Sequence, residues 1–380
     1  MSNQTRVERD LRIDLFRGLA LLFIFVDHIP GNTWANYTLK NFGFCDASEV
    51  FVFLSGYAAM LAYGKAGMTL DQSAARAYRP AAVVYVWHIG VFAVCAIMLY
   101  AAASAFANPD YVGNIALGRL AENTGSAIGE ALLLLYQPNQ MNILPLYVVL
   151  LLWFPVIVTL LRKSVVIALT LSIAVWAAAN YWSVNLPVNK PGEGWYFNPL
   201  TWQLLFTTGA AAAIVSRPTA PVARGFALGV AVAYLAFCVL YAAPWNLYSW
   251  APDGRVMPYG AVGDINKGYL SLWRYINVLA LAYIVAETLP ASAKFLRRGW
   301  ATVFIACGRS SLQVFALGTV LSFAGWIAST EVKSTSAAVE AAINLAGIGL
   351  LGWAAIWLSS RAAHRGEPGR QSIGALSSQA

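Results

Sequence analysis

Long runs of apolar residues, separated by short polar segments, dominate the sequence from beginning to end. A helix that crosses a bilayer needs about 20 mainly apolar residues. The pattern therefore predicts an all-α polytopic membrane protein with about 10 transmembrane helices. The apolar runs lie at residues 13–30, 47–63, 81–105, 143–161, 164–182, 200–216, 224–243, 269–289, 301–327 and 336–359.

The composition leaves no room for a large soluble domain beside these runs. Hydrophobic residues make up 59% of the chain and charged residues only 11%, whereas a soluble domain has about 25% charged residues. We expect residues 1–360 to form a single transmembrane domain. Residues 361–380 are polar, and we expect them to form a disordered cytoplasmic tail.

The distribution of lysine and arginine predicts the orientation. With the N-terminus in the cytoplasm, seventeen of the 25 lysines and arginines fall on the inner side and seven on the outer side, while Arg309 lies within a helix. Cytoplasmic loops carry the excess of these residues, so we predict that both termini are cytoplasmic. The net charge of +8 is thus a topology signal, and we expect no nucleic-acid partner.

Two features of the outer side allow more than one interpretation. Residues 115–136 are less apolar and contain Arg119, Glu122 and Glu130; we interpret them as a re-entrant or interfacial segment, although an eleventh span stays open. The long outer loops are rich in Trp, Tyr, Asn and Pro. This composition is typical of an interfacial aromatic belt, and it also suits a surface that stacks aromatic rings on sugars.

The first apolar run carries ionisable residues, which are costly in a membrane and are often functional. Arg17 and His28 are eleven residues apart, so they share one helix face about 16 Å apart along the axis. Asp14 lies one turn before Arg17 and could pair with it. An inner cation could hold the phosphates of coenzyme A while an outer histidine deprotonates a hydroxyl. The alternative is that Arg17 is a topology anchor and His28 an interfacial cap.

Three further groups of charged residues could belong to the same site. Asp46 and Glu49 lie at the start of the second span, where either carboxylate could orient His28 as a general base; Asp46 could instead cap the helix. Arg76 and Arg79 could bind phosphate or anchor the third span. Arg309 could extend the inner donor site, and Arg274 could bind a carboxylate near the outer site. The four cysteines show no metal-binding spacing, and we expect no metal.

These residues resemble a known family. Arg17 with His28, and Arg76 with Arg79, resemble the two signature motifs of the membrane acyltransferase-3 superfamily. Within this superfamily the chain looks most like the OpgC-type proteins, and the resemblance covers nearly all of the chain. The similar segments are 14–20, 27–32, 49–57, 143–147, 197–206 and 307–312.

The resemblance implies an O-acyltransferase of the bacterial inner membrane. A succinyl or other acyl group would pass from cytoplasmic acyl-CoA, the donor substrate, to hydroxyls of a periplasmic glucan; no cofactor would be bound permanently. The other expected partner is membrane lipid, and a homo-oligomer is left open. The implied site consists of His28 with Glu49 or Asp46 as catalytic residues, Arg17, Arg76, Arg79 and Arg309 for acyl-CoA, and Asp27, Arg274 and Trp202 for the acceptor.

Two other classes of function compete with this prediction. A glycan or acyl-carrier transporter (a flippase) would be expected to show corresponding helix patterns in two halves of the chain, and the sequence shows no internal repeat. A non-catalytic membrane scaffold would leave the alignment of Arg17 and His28 without an explanation.

Overall fold

The computed structural model describes residues 9–64, 67–189, 192–215, 221–243, 262–332 and 336–364. Within these ranges the chain is helical apart from its connections, and the one extended pairing is an isolated bridge between Pro187 and Gly194. The α-helices are α1 (Leu11–Asp27), α2 (Ala47–Tyr63), α3 (Leu70–Phe106), α4 (Asp110–Gly113), α5 (Arg119–Glu122), α6 (Thr124–Leu132), α7 (Ile143–Lys163), α8 (Val165–Tyr181), α9 (Pro199–Ala212), α10 (Pro221–Ala242), α11 (Leu272–Thr288), α12 (Gly299–Arg309), α13 (Ser311–Glu331) and α14 (Ala337–His364).

Five of these helices are long and apolar enough to cross a membrane: α3, α7, α10, α13 and α14. The helices α2 and α8 are also apolar but contain only 17 residues each. The protein is therefore an all-helical, multi-pass membrane protein. The number of ten spans and the cytoplasmic position of both termini stay predictions.

Every predicted apolar run contains a helix, but two runs differ from their helices in extent. The run 301–327 is divided at Ser310, whose backbone leaves the helical region (φ −102°, ψ 36°) between α12 and α13. The helix α3 begins eleven residues before the run 81–105, because Thr69 and Gln72 form a capping box at its start. Hydrophobicity alone detects neither a polar first turn nor a break within an apolar run.

The two remaining segment predictions can also be compared with the structure. Residues 115–136 contain only short helices, of which α6 with nine residues is the longest, so this stretch forms no continuous span, as predicted. The predicted tail 361–380 begins as helix, because α14 continues to His364. Residues 365–380 lie outside the described residues.

Two glycines allow α1 and α12 to approach at backbone distance. A Cβ atom built on Gly18 would lie 1.9 Å from the carbonyl oxygen of Phe304, and one on Gly308 would lie 1.9 Å from that of Asp14. Small residues commonly permit such close helix crossings in membranes. This crossing fixes α1 at the depth of Asp14 and Arg17.

The helices α2 and α9 cross in the same way. A Cβ atom on Gly56 would lie 1.9 Å from the carbonyl oxygen of Phe206, and one on Gly209 would lie 1.9 Å from that of Phe53. Each glycine therefore faces the backbone of the opposite helix. This second crossing holds α2 against α9, and the starts of these two helices carry much of the candidate site.

Candidate active site

His28 directly follows the last residue of α1 and is partly buried. Its Nδ1 atom lies 2.6 Å from the carbonyl oxygen of Ile24. Because a carbonyl oxygen only accepts hydrogen bonds, Nδ1 must carry the hydrogen in this contact. The neutral imidazole then keeps a free lone pair on Nε2, so the protein's own backbone orients His28 as a base.

His28 lines a cavity of about 250 Å³, which we call the His28 cavity. The wall combines hydroxyl, amide and ammonium groups with an apolar portion formed by Ile24, Ile143 and Phe315. Among the described residues, no group of three or more His, Cys, Asp or Glu side chains could hold a metal ion. The other lining residues are Ser48, Asn139, Gln140, Asn142, Tyr196, Phe197 and Lys267.

Beside this cavity lies a buried group of charges, the four-charge cluster, made of Asp46, Glu49, Lys267 and Arg274. Glu49 Oε1 accepts a hydrogen bond of 2.6 Å from Arg274 Nε. Asp46 Oδ2 lies 2.5 Å from Lys267 Nζ and 3.3 Å from Arg274 Nη2. With two cations and two carboxylates, the cluster is formally neutral.

The start of α2 explains why both carboxylates are placed here. Asp46 accepts a hydrogen bond from the backbone N–H of Ser48, and the Asp46 N–H donates to Glu49 Oε2 at 3.0 Å. This reciprocal arrangement is a capping box, which stabilises a helix N-terminus. The capping alternative for Asp46 is thus the one that the structure shows.

The structure does not bring either carboxylate into contact with His28. Among the described residues, no hydrogen bond or ion pair joins the imidazole to Asp46 or Glu49, because Arg274 and Lys267 occupy them. Burial alone would raise the pKa of the Asp46 carboxyl, but Lys267 and Arg274 hold this pKa well below its ordinary value. A direct catalytic pairing of His28 with Asp46 or Glu49 is therefore corrected to orientation by the Ile24 carbonyl.

Arg274 binds carboxylates near the outer site, as predicted, but these carboxylates belong to Glu49 and Asp46 of the protein itself. Its side chain is only 11% exposed, and its predicted role in substrate binding stays a prediction. Arg274 thereby joins α11 to the start of α2. Its partner lies 225 residues away in the chain, so no local pattern could reveal the pair.

Lys267 is the site residue that the sequence analysis missed. Burial alone would lower the pKa of its ammonium, but the carboxylates of Asp46 and Glu49 raise this pKa above its ordinary value. The ammonium also lies 5.5 Å from the centre of the Phe197 ring. A single lysine in a loop resembles any solvent-exposed lysine in a sequence, and only the fold shows that this one faces the cavity.

Trp202 has a different position from the predicted one. Its side chain is fully buried, and its indole N–H donates to the carbonyl oxygens of Lys267 and Gly268, both at 3.1 Å. The indole packs edge-on against Phe197, with ring centres 4.7 Å apart. The Trp202 ring is therefore inaccessible to an acceptor sugar. The indole instead holds the loop that carries Lys267 in position.

Asp27 is likewise occupied by its own chain. Its carboxylate accepts a 2.6 Å hydrogen bond from the Thr38 hydroxyl and lies 3.4 Å from Lys40 Nζ. These contacts tie the segment 33–41 to the end of α1. Both contacts use the Oδ1 atom of Asp27, and its predicted role in acceptor binding stays a prediction.

The second charged region contains Arg17 and is called the Arg17 cluster, with Asp14, Arg309 and Ser311 as its other members. Arg17 Nη2 donates to the Ser311 hydroxyl at 2.6 Å, and the guanidinium lies 5.6 Å from the centre of the Phe51 ring. Arg17 Nε is buried without a hydrogen-bond partner. No carboxylate among the described residues pairs with Arg17.

Asp14 was expected to pair with Arg17, but it pairs with two other arginines, Arg9 and Arg309. It accepts hydrogen bonds of 2.6 and 2.7 Å from Arg9 and one of 3.3 Å from Arg309 Nε. Because Ser311 follows Arg309 at the junction of α12 and α13, the guanidinium groups of Arg17 and Arg309 lie in the same region. That Arg309 extends an inner donor site stays a prediction.

Two helices connect the Arg17 cluster with the His28 cavity. Ser311 is followed on α13 by Phe315, one turn or about 6 Å further along the axis, and Phe315 lines the cavity. Arg17 is followed on α1 by Ile24, about 10 Å further, which also lines it. Ile24, which belongs to the apolar part of the cavity wall, thus lies between Arg17 and His28 along α1.

The last predicted donor residues, Arg76 and Arg79, are exposed near the start of α3. The described contacts include none that joins them to Arg17 or Arg309. Their predicted interaction with acyl-CoA stays a prediction.

Fold and geometry together define a class: a multi-pass helical membrane protein with an oriented histidine on a polar cavity and, elsewhere in the bundle, an arginine that pairs with no carboxylate among the described residues. The chain belongs to the OpgC protein family, whose sequence model matches residues 9–363. Comparison with curated proteins and with solved structures gave no match. Family membership indicates an acyltransferase activity in general and a role in the modification of osmoregulated periplasmic glucans.

Proposed function

We propose that this protein transfers an acyl group, with succinyl as the expected group, from cytoplasmic acyl-CoA to a hydroxyl of a periplasmic glucan across the bacterial inner membrane. The observation that carries the proposal is the oriented imidazole of His28 on a cavity whose apolar wall leads to Arg17. Family membership supports the acyltransferase class and the glucan acceptor.

The donor binds at the Arg17 cluster. Arg17 has a buried Nε–H without a partner, and a guanidinium is well suited to phosphate because it presents several fixed donors. Arg309 adds a second cation in the same region, and Arg76 and Arg79 provide further basic groups for the nucleotide end of coenzyme A. The pantetheine arm then follows α1 and α13 past Phe315 to the His28 cavity.

The acceptor enters the His28 cavity from the opposite side. Asn139 and Gln140 line this cavity with amide groups, and Tyr196 provides a half-exposed aromatic ring beside them. The Gln140 Oε1 atom is buried and has no partner among the described residues, so it is available to a sugar hydroxyl. Amides and aromatic rings together suit a neutral polyhydroxylated acceptor.

The chemistry requires one base and one electrophile. His28 Nε2 accepts the proton of the glucan hydroxyl while the oxygen of that hydroxyl attacks the carbonyl carbon of the thioester. The tetrahedral intermediate then collapses: the carbon–sulfur bond breaks, an ester forms, and the coenzyme A thiolate accepts the proton from the imidazolium. General-base assistance of this kind contributes about 10²–10⁴-fold to a rate.

The test is acyl transfer by the purified protein in lipid nanodiscs, supplied with acyl-CoA and periplasmic glucan and followed by mass spectrometry of the glucan. We expect His28→Ala to lower kcat by about 10²–10⁴-fold. The matched control is His88→Gln, because His88 is a buried histidine of α3 that does not line the cavity. Normal acylation by the His28 variant would refute the mechanism, and glucan transport without a gain in mass would favour a transporter.

A further inference from the structure

The wall of the His28 cavity has an unusual charge distribution. Of the lining residues, Lys267 alone carries a permanent charge, while the carboxylates that balance it, Asp46 and Glu49, do not line the cavity. An incoming molecule therefore meets an ammonium group and not its counter-ions. A cation on the wall of an otherwise neutral cavity favours an anionic group in the ligand.

The position of this ammonium is fixed by several independent contacts. Trp202 donates to the carbonyl oxygens of Lys267 and Gly268, and the Asn198 N–H donates to the Gly268 carbonyl oxygen at 3.0 Å. The Lys267 Nζ atom itself is held by Asp46. A lysine ammonium has three N–H donors, and Asp46 is its only polar partner in the part of the chain that the structure describes, so donors are left for a ligand.

We propose that Lys267 determines which acyl group is transferred, by binding a carboxylate at the far end of that group. This inference rests on the proposed function and specifies the donor as the thioester of a dicarboxylic acid. The neutral glucan brings no anion into the cavity, and the phosphates of coenzyme A bind near Arg17. The acyl chain is therefore the component that can present an anion to Lys267.

The dimensions of the cavity agree with a short dicarboxylic group. In a succinyl group, three carbon–carbon bonds separate the thioester carbon from the terminal carboxylate carbon, a span of roughly 4 Å. Both ends can thus lie within one cavity of about 250 Å³, with the thioester carbon towards His28 and the carboxylate towards Lys267. An acyl group of the same length that ends in a methyl group would leave the Lys267 ammonium without a carboxylate partner from the substrate.

The experiment compares two donors of equal carbon number, succinyl-CoA and butyryl-CoA, on the full-length protein in nanodiscs. We expect Lys267→Met to lower the ratio of kcat/KM for succinyl-CoA to that for butyryl-CoA by about 10- to 100-fold, because a charge-assisted hydrogen bond is lost. Lys267→Arg should retain most of the preference. The matched control is Lys40→Met, which removes a cation paired with Asp27 outside the cavity wall.

The outcomes separate this inference from the proposed function. An equal loss with both donors would overturn it, since Lys267 would then support the fold or the reaction and not the choice of acyl group; an unchanged ratio would overturn it as well. If Lys267→Met does not fold, the wild-type protein is given the monomethyl ester of succinyl-CoA, which should react at least 10-fold less efficiently. Equal use of the ester would overturn the inference, whereas a wild-type protein that transfers no acyl group from any donor would refute the proposed function.

Discussion

The two charged regions of the bundle are built in opposite ways. The four-charge cluster pairs two cations with two carboxylates, and each carboxylate has at least one contact of 2.6 Å or shorter. In the Arg17 cluster, Asp14 is satisfied by Arg9 and Arg309, whereas Arg17 has a hydroxyl and an aromatic ring as its partners. In the first region every charge has a counter-charge within the protein, whereas in the second Arg17 pairs with no carboxylate among the described residues.

This difference indicates what each region does. A buried ion pair whose partners are all present contributes mainly by avoiding the penalty of an uncompensated charge. The four-charge cluster therefore serves to fix α2, α11 and the Lys267 loop in position. A partly buried cation that pairs with no carboxylate among the described residues is costly to maintain in a membrane, which points to a ligand for Arg17.

The largest effect on stability is expected at the four-charge cluster. Replacing Arg274 with Met leaves the Glu49 carboxylate buried without its cation, which should lower the free energy of unfolding by about 3–5 kcal/mol. Thermal unfolding in detergent measures the change. Lys163→Met is the control, because Lys163 is exposed at the end of α7, and a substitution at an exposed position usually changes stability by at most about 0.5 kcal/mol. Equal shifts for the two variants would contradict the assignment.

A smaller effect is expected at the glycine crossings that hold the two regions. A Cβ atom on Gly18 or Gly56 would lie 1.9 Å from a backbone oxygen, so Gly18→Ala and Gly56→Ala should each destabilise the protein by about 1–3 kcal/mol, as overpacking does. Gly18→Ala should additionally raise KM for the donor. Gly90→Ala is the control, because a Cβ atom at Gly90 meets no atom within 4 Å. The prediction fails if all three variants unfold alike.

Replacing Arg17 should affect ligand binding and leave folding nearly unchanged. Arg17→Met removes no partner of a carboxylate, so the free energy of unfolding should change by less than in Arg274→Met. KM for acyl-CoA should rise about 10-fold or more, since a charge-assisted contact to phosphate is lost. Unfolding temperatures and steady-state kinetics of the same preparations measure both. An unchanged KM together with a large loss of stability would show that Arg17 is structural.

The smallest effect is expected at the pair of Arg119 and Glu130, which joins α5 to α6. The hydrogen bond from Arg119 lowers the pKa of Glu130 to about 2, from an ordinary value of 4.5. The pair therefore stabilises the local structure above about pH 4.5, and this contribution is lost as the pH falls towards 2. The protection of α5 and α6 against hydrogen exchange, expressed relative to the intrinsic rate at each pH, should fall between pH 4.5 and pH 2. Glu130→Gln should abolish this pH-dependent loss of protection, and an identical pH dependence in both proteins would contradict the prediction.

Local patterns predicted much of the fold and part of the site. Apolar runs located the helices, and helical spacing placed Arg17 and His28 along one helix. The break at Ser310 was missed because the apolar run continues through it. The pairing of Glu49 with Arg274 and the position of Lys267 on the cavity depend on contacts between residues more than 200 positions apart. Such contacts follow from helix packing, which no local periodicity encodes.

The distance in sequence between the two halves of the four-charge cluster also has a consequence for biosynthesis. Glu49 and Arg274 are 225 residues apart, so at about 5–20 residues per second the carboxylates of α2 precede their cations by roughly 10 to 45 seconds. During that interval the two acidic groups must stay hydrated or take up protons. The synthesis of Lys267 and α11 therefore completes the charge pairing of a helix made much earlier, and a nascent chain that ends before Lys267 leaves α2 without these charge partners.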